Sequence, residues 1–296
     1  MIERYIVTNE DDGLKLIDIL VRCFHLSVRQ LRRTKHSRLV RVNGHKISLN
    51  APVRKGDVVE LLMEDEENIF APEPIRFALA YEDEYMIAAN KPPFLVVHPT
   101  RSHQSNTLGN AVAHHMIATG GNYKIRFVNR LDRDTSGIVL IAKTALVQQR
   151  ITEQMQKNQV GKRYLAIVEG IVDEAGTIDL PIGREKEDDV VRVVTPRGKR
   201  AVTKYERLRI IGKYSLVRIE LLTGRTHQIR VHFKAIGHPV LGDSLYGTAS
   251  PYISRQALHC EEMSLDHPFT GDRLVVRSDM PDDMEAAIRM IESFDI

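Results

Sequence analysis

One stretch constrains this chain more than any other. Arg130-Leu131-Asp132-Arg133-Asp134-Thr135-Ser136-Gly137 runs directly into the apolar segment Ile138-Val139-Leu140-Ile141-Ala142. An uninterrupted apolar run rich in β-branched residues reads as a strand buried on both faces. Two carboxylates and two guanidinium groups stand within the five residues 130–134, and Thr135-Ser136-Gly137 supplies the turn between charge and strand. Any fold adopted by this chain must therefore carry a charged loop at the mouth of a central strand. Taken alone, such a cluster reads as a solvated loop. An Arg-flanked aspartate is also the form taken by a catalytic carboxylate kept ionised.

The charge distribution points to a partner. The net charge is only +3, but between Arg22 and Lys46 there are eight Lys or Arg residues and no Asp or Glu, and Glu64-Asp65-Glu66-Glu67 follows. Like charges crowded together repel one another, so a one-sign module calls for a polyanion, and nucleic acid fits best. Cys23 and Cys260 are the only cysteines, which implies neither a disulfide framework nor a thiolate zinc site. Met1-Ile2-Glu3-Arg4-Tyr5 lacks the basic-then-apolar order of a signal peptide, and no apolar run has membrane-spanning length. The expected location is cytoplasmic, with no membrane partner.

Residues 1–70 read as a separate unit. Leu14, Ile17, Leu20 and Val21 fall at helical spacing, and Ser27 with Gln30 has the form of a capping box opening a second helix. That helix would present Arg29, Arg32, Arg33 and Lys35. Leu39-Val40-Arg41-Val42, Asn43-Gly44 and His45-Lys46-Ile47 predict a hairpin, because both turn positions need positive φ. Val58–Leu61 supplies a closing strand. This helix-hairpin unit resembles the alpha-L RNA-binding module of bacterial small-subunit ribosomal protein four, which makes Arg29, Arg32, Arg33, Lys35, Arg38 and Arg41 the candidate RNA contacts.

Residues 71–296 alternate short apolar segments with Gly, Pro and Asp turns. Helical spacing appears at Val147, Ile151 and Met155 and at Ile229, Phe233 and Ile236. No regular strand-helix alternation is present, so the expected class is α+β: a mixed, mostly antiparallel sheet with helices on it, plus the small N-terminal α/β module.

Further segments carry candidate chemistry. Asp132 and Asp134 form an Asp-x-Asp pair of the kind that holds a divalent metal in some glycosyltransferases, but flanking arginines compete for the same oxygens. An ionised aspartate beside arginine suits a nucleophile or base better, and Asp134 also reads as a turn-capping residue. Tyr164, opening Tyr164–Val168, reads as a core aromatic with its hydroxyl at the rim or as a base-stacking residue. In Gly224-Arg225-Thr226-His227-Gln228-Ile229-Arg230-Val231-His232, Thr226 is the expected helix cap. The two histidines are five apart, not the four that would let them share a metal on one helix face, so both read as hydrogen-bonded structural residues. In Asn90-Lys91-Pro92-Pro93, Lys91 can reach a phosphate or cap carbonyls, and it joins the RNA-contact candidates.

Together these segments resemble the RluA/RluD family of pseudouridine synthases. The likeness runs along essentially the whole chain in order: Asn90-Lys91-Pro92 with Val96-Val97-His98-Pro99, the 130–137 octapeptide, Lys162–Ala166, Gly224–His232, and Gly237–Asp243 with Leu245-Tyr246-Gly247. Similar proteins carry histidine where this chain has Asn129. The resemblance implies a pseudouridine synthase catalytic domain in which Asp132 is the catalytic aspartate, Tyr164 the active-site tyrosine and Arg230 the partner of Asp132. It also implies that Arg130 enters the RNA stack as the target uridine leaves it, that Leu131 and Ile229 line the pocket, and that neither metal nor organic cofactor takes part. The implied partner is ribosomal or transfer RNA, acted on by a monomer. Readings outside this family are a non-catalytic RNA-binding or ribosome-assembly factor and a metal-dependent nucleotide-sugar transferase. A hydrolytic N-glycosidase is closer in chemistry.

Overall fold

In the computed structural model, which describes residues 2–24, 26, 31, 39–62, 67–99, 104–186 and 189–294, the chain separates into two compact units. One is Met1–Asn68 with Asn122–Lys124, the other Ile69–Gly121 with Ile125–Ile296. The expected basic helix, with Arg29, Arg32, Arg33 and Lys35, and the neighbouring Arg38 lie outside the described residues.

The smaller unit contains β1 (Ile2–Ile6), α1 (Leu16–Arg22), β2 (Val40–Val42) and β3 (Val58–Leu62). The strands form an antiparallel sheet in the order β1-β3-β2. Asn43 and Gly44 both take positive φ, 52° and 80°, and His45 N donates to Val42 O at 3.0 Å. The tight turn is there, but the return segment pairs only at a single Val42–His45 bridge, and β2 finds its ladder partner in β3. Helix α1 buries Leu16, Ile19 and Leu20 and leaves Val21 exposed. This face is offset from the expected one because a Lys15–Pro52 bridge fixes where the helix begins. Asp11 is fully buried, where Tyr5, Thr8 and Arg22 all donate to it. Arg22, first of the basic run, is thus committed to a structural ion pair. Arg41 is exposed in the middle of β2, in register with Glu60.

The larger unit is built on one ten-stranded sheet. Its strands are β4 (Ala78–Glu82), β5 (Met86–Lys91), β6 (Arg126–Phe127), β7 (Ser136–Ala142), β8 (Gly161–Glu169), β9 (Ala175–Asp179), β12 (Val202–Ile211), β13 (Tyr214–Leu221), β14 (Leu258–Asp266) and β15 (Arg273–Arg277). The strands β10 (Ile182–Gly183) and β11 (Val193–Val194) pair separately. The order is β4-β5-β7-β14-β8-β13-β12-β9, with β6 on β7 and β15 on β14. Every ladder is antiparallel except β7–β14, so the sheet is mixed and mostly antiparallel. Helices α2 (Leu108–Ala118), α3 (Ala145–Gln156), α4 (Gln228–Ala235) and α5 (Asp282–Phe294) accompany it. Thr107 and Asn110 close a capping box on α2; α3 packs on β7 and β14, and α4 and α5 on β12.

All seven residues of β7 are buried, as its apolar run requires of a central strand. One edge of β7 pairs with β5 along its length. The other edge pairs with β6 at Ile141–Ala142 and with β14 at Ser136–Gly137. The loop 128–135 therefore leaves the sheet where one neighbour of β7 gives way to the next. Gly137 sits at that junction with φ 112°, and a Cβ there would meet Cys260 O at 2.3 Å. Only glycine lets the two backbones approach this closely.

Candidate active site

The approach to the octapeptide continues the ladder by other means. Val128 N donates to Leu140 O at 2.9 Å. The Asn129 carboxamide then takes over, accepting from Leu140 N at 2.7 Å and donating to Ile138 O at 3.2 Å. Asn129, the departure from the resembled pattern, thus anchors the loop to β7. Thr135 N closes a turn on Asp132 O at 3.1 Å.

Within the octapeptide the four charges separate into different partnerships. Arg133 forks onto Asp134 at 2.7 and 3.0 Å, so the Asp134 carboxylate is an ion-pair partner and not the expected turn cap. Asp132 turns the other way and accepts from Arg230 Nη1 at 2.9 Å. Arg230 is buried on α4, and Asp243, fully buried, holds its Nε at 2.6 Å and its Nη2 at 2.8 Å. Burial opposes the Arg230 charge, but the Asp243 hydrogen bonds and the two carboxylates outweigh it and push the guanidinium pKa up. The cation is permanent, and a fork geometry fixes it against one carboxylate while it presents a third edge to another. Asp132 keeps 28% of its side-chain surface open.

Tyr164 lies on β8, buried. Strand β14 carries an extra residue between His259 and Glu262, and this bulge brings Cys260 to the phenol. Burial raises the Tyr164 pKa well above its ordinary value, with Cys260 and Asp132 adding to the effect. The phenol therefore stays neutral. Cys260, unpaired and fully buried, is pushed up to about 12 by the same burial. Leu131 and Ile229 are buried beside Asp132 and Arg230 in the chain, and Arg130 is exposed.

Lys91 is not available to RNA. It is fully buried, and its Nζ donates to Pro92 O, Leu95 O and Arg133 O at 2.9, 2.8 and 2.9 Å. In the ammonium form all three protons are used on carbonyls. The residue ties the proline loop to the octapeptide, and a phosphate contact would require giving that up. Burial, with Arg255 contributing, pushes its pKa down to about 7.

Several positioning groups were not read from the sequence. Asp243 Oδ1 also accepts from Leu245 N at 3.0 Å and Tyr246 N at 3.1 Å. The Gly242-Asp243 and Leu245-Tyr246-Gly247 spacing carried that signal as an Asx turn. Buried Arg255 forks onto Asp283 at 2.6 and 2.8 Å and reaches Asp134 O at 3.1 Å, while Gln256 Nε2 donates to Thr135 Oγ1 at 3.2 Å. Helix α4 is not capped by Thr226: His227 is the cap residue, in the left-handed region. The Gln228 side chain instead ties the loop before the helix to β12, accepting from Arg225 N at 2.9 Å and donating to Val202 O at 3.0 Å. His232 bonds Thr203 Oγ1 and Leu180 O.

Among the described residues no group of three or more His, Cys, Asp or Glu side chains is arranged to hold a metal. Likewise no helix there is long and apolar enough to cross a membrane.

A family model described as RNA pseudouridylate synthase matches residues 85–235, a span that contains Asp132, Tyr164 and Arg230. The RNA pseudouridine synthase YhcT of Bacillus subtilis is 37% identical over 288 residues, covering 96% of this chain and 95% of its own. Ribosomal large subunit pseudouridine synthase D of Haemophilus influenzae is 33% identical over 304 residues, covering 97% and 94%. The same-named protein of Pasteurella multocida is 34% identical over 298 residues, covering 95% and 92%. Among solved structures, human RNA pseudouridylate synthase domain containing 4 aligns over 72% of this chain and 92% of its own, with a TM-score of 0.60 at 23% identity.

Proposed function

This chain belongs to the RNA pseudouridylate synthase family, and on that premise we propose that it isomerises uridine in large-subunit ribosomal RNA with Asp132 as the group that starts the reaction. The observation that carries the assignment to Asp132 is its pairing with Arg230, itself locked by the buried Asp243. The target RNA is inferred from relatives named for the large ribosomal subunit.

The reaction breaks the bond from ribose C1′ to uracil N1, turns the base, and joins C1′ to C5. The C5 proton is lost and N1 gains one, so the product is an isomer. The target base must first leave its stack, which takes a few kcal/mol. Arg130, exposed at the loop, fills the vacated place. Attack on the sugar and removal of a ribose proton make the same demand on Asp132: an ionised carboxylate with a lone pair facing the substrate. Arg230 orients the carboxylate through Oδ2 and leaves a lone pair of Oδ1 for the substrate. Tyr164 forms a wall against which the detached uracil turns. Because its phenol stays neutral, it acts by stacking and hydrogen bonding, not as a phenolate base. Leu131 and Ile229 keep water from the detached base.

Phosphate contacts come from the N-terminal unit through Arg29, Arg32, Arg33, Lys35, Arg38 and Arg41, which supply affinity without sequence readout. The enzyme works as a cytoplasmic monomer.

Mapping pseudouridines in total RNA from a strain lacking the protein tests the target. The expected result is the loss of one or more large-subunit ribosomal sites, restored by the wild-type gene. Loss confined to transfer RNA overturns the ribosomal assignment.

A further inference from the structure

His227 has no part in the scheme above, yet its backbone is strained for some purpose. It takes φ 57° and ψ 20°, and its side chain makes no capping hydrogen bond to α4. Left-handed backbone is unfavourable for any non-glycine residue, and such strain persists where surrounding structure holds it. Capping does not explain it. What the conformation achieves is the direction of the imidazole. Nδ1 lies 2.8 Å from the Tyr246 hydroxyl, and Nε2 lies 3.8 Å from Asp132 Oδ1.

The hydrogen bonds fix which nitrogen carries the proton. The Tyr246 hydroxyl oxygen accepts the backbone N–H of Arg192 at 2.8 Å. Tyr246 is only 4% exposed, and its own proton then has His227 Nδ1 as its acceptor. Nδ1 therefore accepts, and the neutral ring carries its proton on Nε2, the nitrogen that faces Asp132. Arg230 occupies the other carboxylate oxygen, Oδ2.

We propose that His227 is a positioning residue for Asp132. A relay from the Arg192 N–H through the Tyr246 O–H presents the His227 Nε2–H to Oδ1 and stops the carboxylate from rotating. At 3.8 Å the contact is longer than a hydrogen bond, and it shortens when substrate fills the site, as catalytic contacts commonly do. No proton is transferred along the relay. The inference rests on the assignment of Asp132 made above.

The surroundings keep the ring neutral. Burial lowers its pKa foremost; Arg230 and Arg192 act in the same direction, while Asp132 and Asp243 oppose. Protonation would place a hydrogen on Nδ1, against the Tyr246 O–H, and would break the relay. The acid side of the rate profile therefore contains a limb that belongs to His227, below the ordinary imidazole value of about 6.5.

The test compares His227→Gln with His227→Ala. Both put a non-glycine residue at the same left-handed position, so backbone strain is matched. A glutamine amide can replace the Nε2–H but does not titrate. For His227→Ala the expected single-turnover rate at saturating RNA falls about 10- to 100-fold, the range that follows from a misplaced catalytic group, with RNA affinity unchanged. His227→Gln should recover most of that rate and shift the acid limb to lower pH. Full activity in His227→Ala overturns the proposal. So does an equal fall in both variants with the acid limb unmoved, which describes a purely structural residue. If His227→Ala does not fold, the pH profile of His227→Gln decides. Asp132→Asn, run in parallel, separates the two claims: an active Asp132→Asn protein removes the premise, whereas an inert one beside a fully active His227→Ala removes this inference alone.

Discussion

Arg230 donates to Asp132 through one edge of its guanidinium while Asp243 holds the other two nitrogens, at 2.6 and 2.8 Å. The three residues come from a loop, a helix and a second loop, and the guanidinium is oriented before any substrate arrives. A lysine could match the charge but not the two-sided geometry. Arg230→Lys should therefore lose most activity despite keeping its charge. Asp243→Asn, which never touches substrate, should lower the single-turnover rate by about 10²-fold through misplacement of Arg230. It should also cost about 3–5 kcal/mol of stability, because it breaks a buried ion pair. Urea titration read beside the rate checks both halves.

Gly137 predicts a packing failure. An added methyl would stand 2.3 Å from Cys260 O, and the φ of 112° is strained for any other residue. Gly137→Ala should destabilise the protein by at least ~2 kcal/mol through backbone strain and overpacking, read as a lower urea midpoint. An unchanged midpoint would mean that β7 and β14 can move apart freely.

Lys91 predicts a pH effect. The unfolded chain holds this proton up to about 10.5 and the folded protein releases it at about 7. Between those values the unfolded state binds more protons, so this group makes stability rise with pH. Lys91→Met should remove that rise and weaken the fold by releasing three carbonyls. The salt dependence of RNA binding should stay as in the wild type, because no phosphate contact is lost.

The Asp-x-Asp pair predicts indifference to chelation. Asp132 is held by Arg230 and Asp134 by Arg133, so the two carboxylates do not converge on a shared cation. With a short RNA that needs no magnesium to fold, EDTA should leave activity intact. Loss restored by a divalent metal would contradict this.

The parts of the candidate site legible in the sequence are those whose chemistry lies in contiguous residues. Asp132 stood in a dense motif, and β7 followed from an unbroken apolar run. Arg230 emerged through the resemblance, which covers its motif from Gly224 to His232. Asp243 and Arg255 did not emerge, because their significance lies in partners 13 and more than a hundred positions away. Lys91 was ambiguous for a simpler reason. A lysine beside prolines is compatible with a phosphate or with carbonyls, and only burial decides. The buried face of α1 and the cap of α4 lie a residue or two from where the sequence pattern puts them, since local periodicity permits several starts and a tertiary contact selects one.

Asp132, proposed above to start the isomerisation, is tested most directly by the fate of the hydrogen on uridine carbon 5. Ribosomal RNA from a strain lacking the protein, tritiated at uridine carbon 5, reports the reaction directly, because joining C5 to C1′ releases the label to water. The wild-type protein should release it. Asp132→Asn should release none above background while binding the same RNA within a few-fold of wild-type affinity, since the substitution removes a charge and keeps the side-chain shape. Tritium release by Asp132→Asn at close to the wild-type rate would mean that another group starts the reaction.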